Sequence, residues 1–244
     1  MTLRTDPQPV PQPPLPYRTL LLTGAAGTLG RALAPPLREQ VPRLVLSDLA
    51  PALAAHGIEG VPCDLADAAG VRTLLQGVDA VVHMGGVSYE IAYEPILQAN
   101  IRGVHNLYEA ARVNQVPRIV FASSNHVTGF YRQDPVISPR DPVRPDGYYG
   151  LSKAFGENLA QLYWDRHGIE TVSLRIGSSF PEPKDRRMLA TWMSYDDTER
   201  LVVAALTAPI VGHTVIYGMS DNKTTWWDNT SARHIGYRPQ DSSE

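Results

Sequence analysis

Tyr149 and Lys153 are the two side chains whose types and spacing most directly suggest proton transfer. A separation of four residues places both on one face of a helix. An unperturbed phenol titrates near ~10, so a tyrosine that acts as a base near neutral pH needs its pKa lowered by about three units, roughly 4 kcal/mol in favour of the phenolate. A nearby ammonium supplies that preference, most strongly where water is excluded. The alternative is an ordinary surface Tyr–Lys pair or a packed tyrosine.

A polar run, Ser123-Ser124-Asn125-His126, follows an apolar segment, Arg118–Ala122, that is typical of a buried strand. In a doubly wound sheet the carboxyl ends of the strands carry the site. A serine hydroxyl at this position can therefore orient a substrate oxygen beside Tyr149. Taken alone, the run is equally consistent with ordinary loop and cap residues.

Three glycines, Gly24, Gly27 and Gly30, follow the first apolar segment, Thr19–Thr23, and lead into a predicted helix. Gly24 can take the tight turn, Gly27 lets the backbone approach a pyrophosphate, and Gly30 lets the helix pack closely on the strand. The helix N-terminus adds free N–H groups and a positive dipole end. Although glycines also serve ordinary packing, this combination predicts dinucleotide binding, and no Walker-type Gly-Lys-Ser/Thr follows.

Asp48 ends the second predicted strand, Arg43–Asp48, where an acid that binds the ribose is expected. Its carboxylate can accept hydrogen bonds from a ribose diol but would repel a 2′-phosphate. The sequence therefore predicts NAD rather than NADP, and the alternative is a strand-end turn or a helix cap.

Two further short segments are candidates for the cofactor. An acid at Asp64-Leu65, after the weak third strand, can meet the adenine amino group, and it can equally be the N-cap of the helix that begins at Asp67. The Met84-Gly85-Gly86 segment after the fourth strand can bring backbone beside the cofactor, and it can also be a simple turn.

Alternating apolar runs and helical stretches predict the elements that must position these residues. Strands are predicted at 19–23, 43–48, 59–62, 80–84, 118–122, 171–176 and 214–217. Helices are predicted at 28–40, 67–76, 96–114, 149–167 and 196–208, with Pro35-Pro36 expected to kink or end the first of them. Near-continuous apolar strands joined by helices predict an α/β fold, a Rossmann-like doubly wound parallel sheet with a small C-terminal substrate-binding portion.

The N-terminal stretch is unlike the rest of the chain. Six of the 21 prolines lie within residues 7–16, so residues 1–17 are expected to form an extended proline-rich arm. Residues 18–244 are expected to form a single dinucleotide-binding domain, with the substrate-binding segments mainly in 177–240.

The composition excludes several classes of protein. The net charge of −3 gives no basic excess for nucleic acid, and one cysteine, Cys63, excludes an intrachain disulfide and a multi-cysteine metal site. His126 has no partner at ligand spacing, so no metal is expected. The weakly polar stretch Leu201–Val211 is too short to span a bilayer and no signal peptide is evident, so a cytoplasmic location without membrane contact is expected.

The sequence resembles the extended branch of the short-chain dehydrogenase/reductase superfamily in TGAAGTLG, in the Tyr149–Lys153 pair, in the serine after the fifth strand and in QANIRG around Asn100. A more specific resemblance, in FASSNHVTGFYR, RPDGYYGLSKAFGENLA, RIGSSFPEP, RRMLATW and WWDN, is to the uronate dehydrogenases, and it covers about residues 19–240. That resemblance implies oxidation of a cyclic hexuronate, galacturonate or glucuronate, at its anomeric carbon, giving an aldarolactone and NADH. It also implies a homo-oligomer.

The resemblance implies a role for each matching residue. Tyr149 would be the base, Lys153 its activator and a ribose contact, Ser124 the hydroxyl-orienting group and Asn100 a support near Lys153. The substrate residues it implies are Ser88, Ser124, Asn125, His126, Tyr149, Ser178 and Arg187. The cofactor residues are Gly24, Gly27, Thr28, Leu29, Gly30, Asp48, Asp64, Leu65, Met84, Gly85, Asn100, Lys153 and Ile176.

A guanidinium is the best partner for the carboxylate of a sugar acid, because its fork matches two oxygens. Arg186 and Arg187 are both available after the sixth strand, and the resemblance favours Arg187.

Two other functions share part of this pattern. A nucleotide-sugar epimerase or dehydratase has the Tyr–Lys pair, but usually with a larger C-terminal lobe. A non-catalytic NAD-sensing module tends to lose the tyrosine or the lysine.

Overall fold

The structure, a computed structural model, describes residues 14–134 and 136–244. Most of the predicted proline-rich arm therefore lies outside the described residues. The last part of that arm contacts the folded body: Leu15 is buried and its N–H donates to Gln40 O at 3.0 Å. The Tyr17 hydroxyl donates to Leu206 O at 2.8 Å.

Seven of the strands form one parallel sheet. The strands are β1 (Thr19–Thr23), β2 (Arg43–Asp48), β3 (Val61–Pro62), β4 (Ala80–His83), β5 (Arg118–Ser124), β6 (Glu170–Ile176), β7 (Ser178–Ser179), β8 (Trp192–Met193) and β9 (His213–Gly218). The order in the sheet is β3-β2-β1-β4-β5-β6-β9, and β7 pairs separately with β8. The strand order reverses between β1 and β4, which is the switch point where ligands bind in such sheets.

Helices cover both faces of this sheet, which confirms the predicted doubly wound fold. They are α1 (Thr28–Gln40), α2 (Ala50–Ala55), α3 (Ala68–Leu74), α4 (Tyr93–Ile96), α5 (Gly103–Asn114), α6 (Tyr148–His167), α7 (Met188–Thr191) and α8 (Tyr195–Thr207). On one face α1 and α8 pack against the sheet through buried residues such as Leu37 and Leu201. On the other, α3, α5 and α6 do so through Val71, Leu107 and Tyr163.

Helix α1 corrects one expectation, because it continues through Pro35 and Pro36 to Gln40 and does not end early. Each proline removes one backbone donor from the helix. The burial of Leu33 and Leu37 on either side of the prolines favours a continuous helix, since both side chains are fully buried in the core.

The long helix predicted at 96–114 is also interrupted. It is a helical stretch from Tyr93 in which a π-helix, Leu97–Arg102, separates α4 from α5. A π-turn inserts an extra residue and is common at functional sites. Here it carries Asn100, whose side chain is buried.

The prediction missed several short elements, among them α2, α7 and the β7–β8 pair. Runs of two to six residues show too little periodicity to identify an element, and tertiary contacts decide their structure. Within residues 14–134 and 136–244, none of the helices is long and apolar enough to cross a membrane.

Candidate functional site

The main cavity, of 610 Å³, opens at the carboxyl ends of β1, β4, β5 and β6. A second space of 300 Å³ adjoins it and shares Gly24, Asp48 and Gly85 with it. The predicted residues that line one or both are Gly24, Gly27, Thr28, Leu29, Gly30, Asp48, Asp64, Leu65, Met84, Gly85, Ser88, Ser124, Asn125, His126, Tyr149, Lys153, Ile176, Ser178 and Arg187. Asn100 lines neither.

The glycine turn is closely packed against the strand next to it. Gly24 has a φ of +71°, and a Cβ there would lie 2.5 Å from the Met84 carbonyl carbon. A Cβ at Gly30 would collide with the Gly24 carbonyl. Gly27, in contrast, has only Gly24 O within 4 Å of an added Cβ, at 3.2 Å, and it lines the cavity. No side chain caps the N-terminus of α1, so its first N–H groups are available to a ligand phosphate.

Asp48 connects the end of β2 to this turn. Its Oδ2 accepts a hydrogen bond from Ala26 N–H at 2.9 Å, and its Oδ1 accepts one from Leu49 N–H at 2.8 Å. Each carboxylate oxygen has further lone pairs, and the residue is half-buried at the cavity edge. Asp48 thus has the structural role at the strand end that the sequence left open. Its carboxylate oxygens keep lone pairs that can accept hydrogen bonds from ribose hydroxyls.

Asp64 and Leu65 line the adjoining space. Asp64 does not cap α3: its Oδ1 accepts from Ala66 N–H at 2.9 Å, whereas the cap is Asp67, whose side chain accepts from Ala69 N–H. The alternative role of Asp64 as the helix cap is therefore wrong.

The Tyr149–Lys153 pair lies on α6, and both side chains are buried. Lys153 Nζ donates to Ala122 O at 2.7 Å and lies 5.8 Å from the centre of the Tyr149 ring. Burial lowers the pKa of Lys153 to about 8. This arrangement shields the ammonium from water and directs it at a backbone carbonyl.

Burial raises the pKa of the Tyr149 phenol, and a hydrogen bond with the Ser124 hydroxyl lowers it. Lys153 Nζ lies over the Tyr149 ring and donates to Ala122 O. The lowering of the phenol pKa by the lysine stays a prediction.

The structure distinguishes the two serines of β5. Ser123 donates to Glu157 Oε1 at 2.6 Å, and the same carboxylate forms a buried ion pair with Arg175 at 2.8 Å. Ser124 lies at the strand end beside Tyr149, and its Oγ accepts from His126 N–H at 3.2 Å. Both serines line the main cavity, but the Ser123 hydroxyl is engaged by Glu157, whereas the Ser124 hydroxyl lies beside Tyr149.

Asn100 supports the residues around Lys153, and the cofactor contact also predicted for it stays a prediction. Its Oδ1 accepts from Val87 N–H at 2.8 Å, and its Nδ2 donates to Val87 O and Ser152 Oγ, both at 2.9 Å. These bonds connect the loop before Ser88 to the helix of Tyr149.

The two candidate arginines differ in position. Arg187 lines the main cavity and donates to Ser178 Oγ at 3.3 Å. Both arginines are exposed, but Arg186 lines none of the cavities described. Ser178 is itself held by a hydrogen bond with Thr191 Oγ1 at 3.0 Å, so the guanidinium is close to a fixed hydroxyl.

Two acids near Tyr149 were missed by the sequence analysis. Asp146 lies 2.9 Å from His126 Nδ1, and because a carboxylate only accepts, that nitrogen donates the hydrogen bond. Glu90 accepts from the N–H groups of Tyr148 and Tyr149, at 3.0 and 2.8 Å, and so caps α6. An acid just before a predicted helix could have indicated Asp146, whereas Glu90 is 59 residues from Tyr149 and gives no local pattern.

The cavity and its adjoining space fit a dinucleotide. Its pyrophosphate fits the narrow glycine turn and the uncapped helix N-terminus. Its ribose fits the acid at the next strand end, Asp48. Within the described residues, no group of three or more His, Cys, Asp or Glu could hold a metal ion.

The fold and the site define a Rossmann-type, dinucleotide-dependent protein. Residues 20–208 match the family described as NAD dependent epimerase/dehydratase.

Proteins that are at least 50% identical to this chain over most of its length include several dehydrogenases. The uronate dehydrogenase of Pseudomonas putida is 58% identical over 94% of this chain and 86% of its own length. A mutant of the Agrobacterium tumefaciens uronate dehydrogenase complexed with NAD is 50% identical, covers 93% and 86% of the two chains, and has a TM-score of 0.89. A glucuronic acid dehydrogenase from Chromohalobacter salexigens is 52% identical over 93% and 86% of the chains, with a TM-score of 0.88. The chain therefore belongs to the NAD-dependent epimerase/dehydratase family and, within it, to the uronate dehydrogenases.

Proposed function

We propose that this protein oxidises a cyclic hexuronate, galacturonate or glucuronate, at its anomeric carbon, with NAD as the hydride acceptor and an aldarolactone as the product. The observation that carries the proposal is the placement of Tyr149, Ser124 and Arg187 on one cavity with the glycine turn. A phenol and a hydroxyl can hold the anomeric oxygen, and a guanidinium can hold the carboxylate.

The reaction moves one proton and one hydride from the sugar. Tyr149 accepts the proton of the anomeric hydroxyl, and the electron pair of that O–H bond forms the C=O bond of the lactone. NAD, held by the glycine turn, Asp48 and Lys153, would supply the acceptor for the hydride of the anomeric carbon. The Lys153 ammonium would favour the phenolate form of Tyr149. Ser124 donates a hydrogen bond to the anomeric oxygen and orients it towards Tyr149.

Lys153 and Asp48 are proposed to act on the cofactor side. Lys153 would bind a ribose hydroxyl, and the burial that lowers its pKa to about 8 also strengthens its interactions with neighbouring oxygens. Asp48 would accept hydrogen bonds from the ribose diol of the adenosine and repel a 2′-phosphate, which favours NAD over NADP.

The substrate carboxylate is proposed to bind Arg187, with Ser88, Asn125, His126 and Ser178 around the ring. Asp146 would fix the His126 imidazole so that Nε2 accepts a hydrogen bond from a sugar hydroxyl. Glu90 would position Tyr149 through its backbone N–H.

The test is an assay of NADH release with galacturonate, glucuronate and the matching neutral sugars. We expect NADH with both acids and kcat/KM roughly 10- to 150-fold lower with the neutral sugars, since hydrogen bonds to charged groups contribute about 1.5–3 kcal/mol. Neutral sugars that are used as well as the acids would refute the carboxylate contact. Turnover of a nucleotide sugar without net NADH would instead indicate an epimerase.

We further propose that residues 18–244 form one domain, with substrate contacts mainly in 177–240, and that the enzyme is a cytoplasmic homo-oligomer. The single thiol, Cys63, is consistent with a reducing compartment. Sedimentation velocity on the full chain tests the assembly, and a monomer at working concentration would contradict it.

A further inference from the structure

A separate cavity of 210 Å³ lies beside the main cavity, and no step of the proposed oxidation uses it. The two cavities share Asn125, His126 and Arg187, so these side chains form the boundary between them. The remaining lining comes mainly from Tyr131, Arg132, Gln133 and Ile137 and from Trp226-Trp227. The space therefore begins where the substrate carboxylate is proposed to bind.

Aromatic side chains form a fixed wall of this cavity. Trp227 is buried and stacks on Tyr217, with 4.7 Å between ring centres and an angle of 5°. Trp226 meets Trp227 edge-on at 6.1 Å. The backbone fixes the pair, because Ile137 N–H donates to Trp226 O at 3.0 Å and Asp228 N–H donates to Ile137 O at 2.8 Å. A preformed aromatic surface suits the apolar C–H face of a sugar ring.

The mouth of the cavity carries polar groups that can hydrogen-bond. Gln133 and Arg132 are exposed there, and Arg132 uses its Nε for Asp134, at 3.1 Å, which leaves the two Nη groups of the fork for another acceptor. The one acid in the lining, Asp146, has both carboxylate oxygens within 3.0 Å of His126 Nδ1. The oxygens of this acid are thus engaged by the imidazole.

The chemistry of a hexuronate determines which of its positions faces this cavity. The carboxylate is attached to C5, and C4 is the neighbouring ring carbon. If C1 lies at Tyr149 and the carboxylate lies at Arg187, a substituent on the C4 oxygen leaves the ring on the Arg187 side. It then points away from the reacting carbon and towards the boundary of the cavity.

We propose that this cavity binds a second uronosyl residue linked to C4, so that the enzyme also oxidises the reducing end of a 4-linked diuronate. The volume equals that of about seven waters at ~30 Å³ each, which is comparable with one six-membered sugar ring. The proposal rests on the proposed function. The chemical step is unchanged: the reducing-end C1 loses a hydride to NAD, its hydroxyl proton goes to Tyr149, and the lactone C=O forms with the glycosidic bond intact.

The first experiment measures NADH release from galacturonate and from 4-linked digalacturonate, a disaccharide with a free reducing end. We expect kcat/KM for the disaccharide within about tenfold of that for the monosaccharide. An inert disaccharide with an active monosaccharide would overturn the inference and leave the proposed function intact. If both sugars are inert, the proposed function fails first.

The second experiment uses Arg132→Ala, because this side chain lines only the separate cavity and is 85% exposed. We expect kcat/KM to fall about tenfold for the disaccharide and to stay within twofold for the monosaccharide. Arg38→Ala, an exposed arginine on α1, is the control with the same charge change. Trp226→Leu should show the same selectivity. Equal effects of Arg132→Ala on both sugars, or no effect on either, would show that the cavity is not a sugar subsite.

Discussion

The two halves of the main cavity are built differently. The nucleotide half, which comprises Gly24–Gly30, Asp48 and Met84-Gly85, consists largely of backbone at the ends of adjacent strands. The sugar half, which comprises Ser88, Ser124–His126, Tyr149, Ser178 and Arg187, consists of side chains from five separate places in the chain.

This difference follows from what each half binds. A pyrophosphate needs close approach of backbone N–H groups, which requires absent side chains and a rigid turn. A small sugar acid needs several polar groups at specific positions around its ring, and these can come from loops. Substitutions in the nucleotide half should therefore affect packing and cofactor binding, whereas those in the sugar half should affect turnover or substrate affinity alone.

Tyr149→Phe should give the largest effect. Removing the phenolic oxygen removes the proposed base, and we expect kcat to fall about 10²–10⁴-fold, the range typical of general acid–base groups. Steady-state kinetics together with calorimetric titration of NAD measures both properties. NAD affinity should change little, because the ring remains.

Tyr148→Phe is the matched control, since Tyr148 is the exposed neighbour on the same helix. It should keep nearly full activity. Normal turnover in Tyr149→Phe would contradict the proposed mechanism.

Arg187→Ala should chiefly weaken uronate binding. A charged hydrogen bond worth about 1.5–3 kcal/mol corresponds to an increase of roughly 10- to 150-fold in KM for the uronate. Affinity for NAD should stay constant, because Arg187 belongs to the sugar half. Kinetics at saturating NAD would measure the change, and Arg186→Ala should behave like wild type. A similar loss in both variants would mean that the pair acts only through general charge.

Gly27→Ala and Gly30→Ala should distinguish the two roles of glycine in this turn. One role is to leave room for the ligand, and the other is to allow close packing of the protein. An alanine at Gly27 meets one protein atom, the Gly24 carbonyl oxygen at 3.2 Å, so the free energy of unfolding should fall less than for Gly30→Ala while NAD affinity falls about tenfold. An alanine at Gly30 collides with the Gly24 carbonyl and should lower the free energy of unfolding by about 1–3 kcal/mol. Urea denaturation and NAD titration of each variant test this, and equal destabilisation by both would contradict it.

The pH dependence of stability gives the smallest expected effect. Burial lowers the pKa of Lys153 from 10.5 to about 8, so between these values the folded chain binds fewer protons than the unfolded chain. The contribution of this lysine to the free energy of unfolding therefore rises with pH in that window, by up to ~1.4 kcal/mol per unit. Without NAD, Lys153→Met should show a smaller rise between pH 8 and 10 than wild type in urea denaturation. Identical pH profiles would mean that Lys153 is not the buried cation it is in the structure.

The sequence determined the parts of this protein that depend on local patterns. Five-residue apolar runs such as Thr19–Thr23 predicted the central strands, because buried parallel strands are apolar on both faces. Glycine spacing predicted the turn, and the i, i+4 spacing of Tyr149 and Lys153 placed both on α6. The resemblance to known enzymes supplied the choice of Arg187.

Tertiary structure decided what depends on contacts between distant segments. Glu90 reaches Tyr149 across 59 residues, and the cavity beside Arg187 joins the Tyr131 region to Trp226, nearly a hundred residues later. It also decided that Lys153 points at Ala122 O, because burial and a backbone acceptor fix the direction of a side chain. Residue type and spacing encode helices, strands and turns, whereas the direction of a buried charge depends on the partners that packing brings to it.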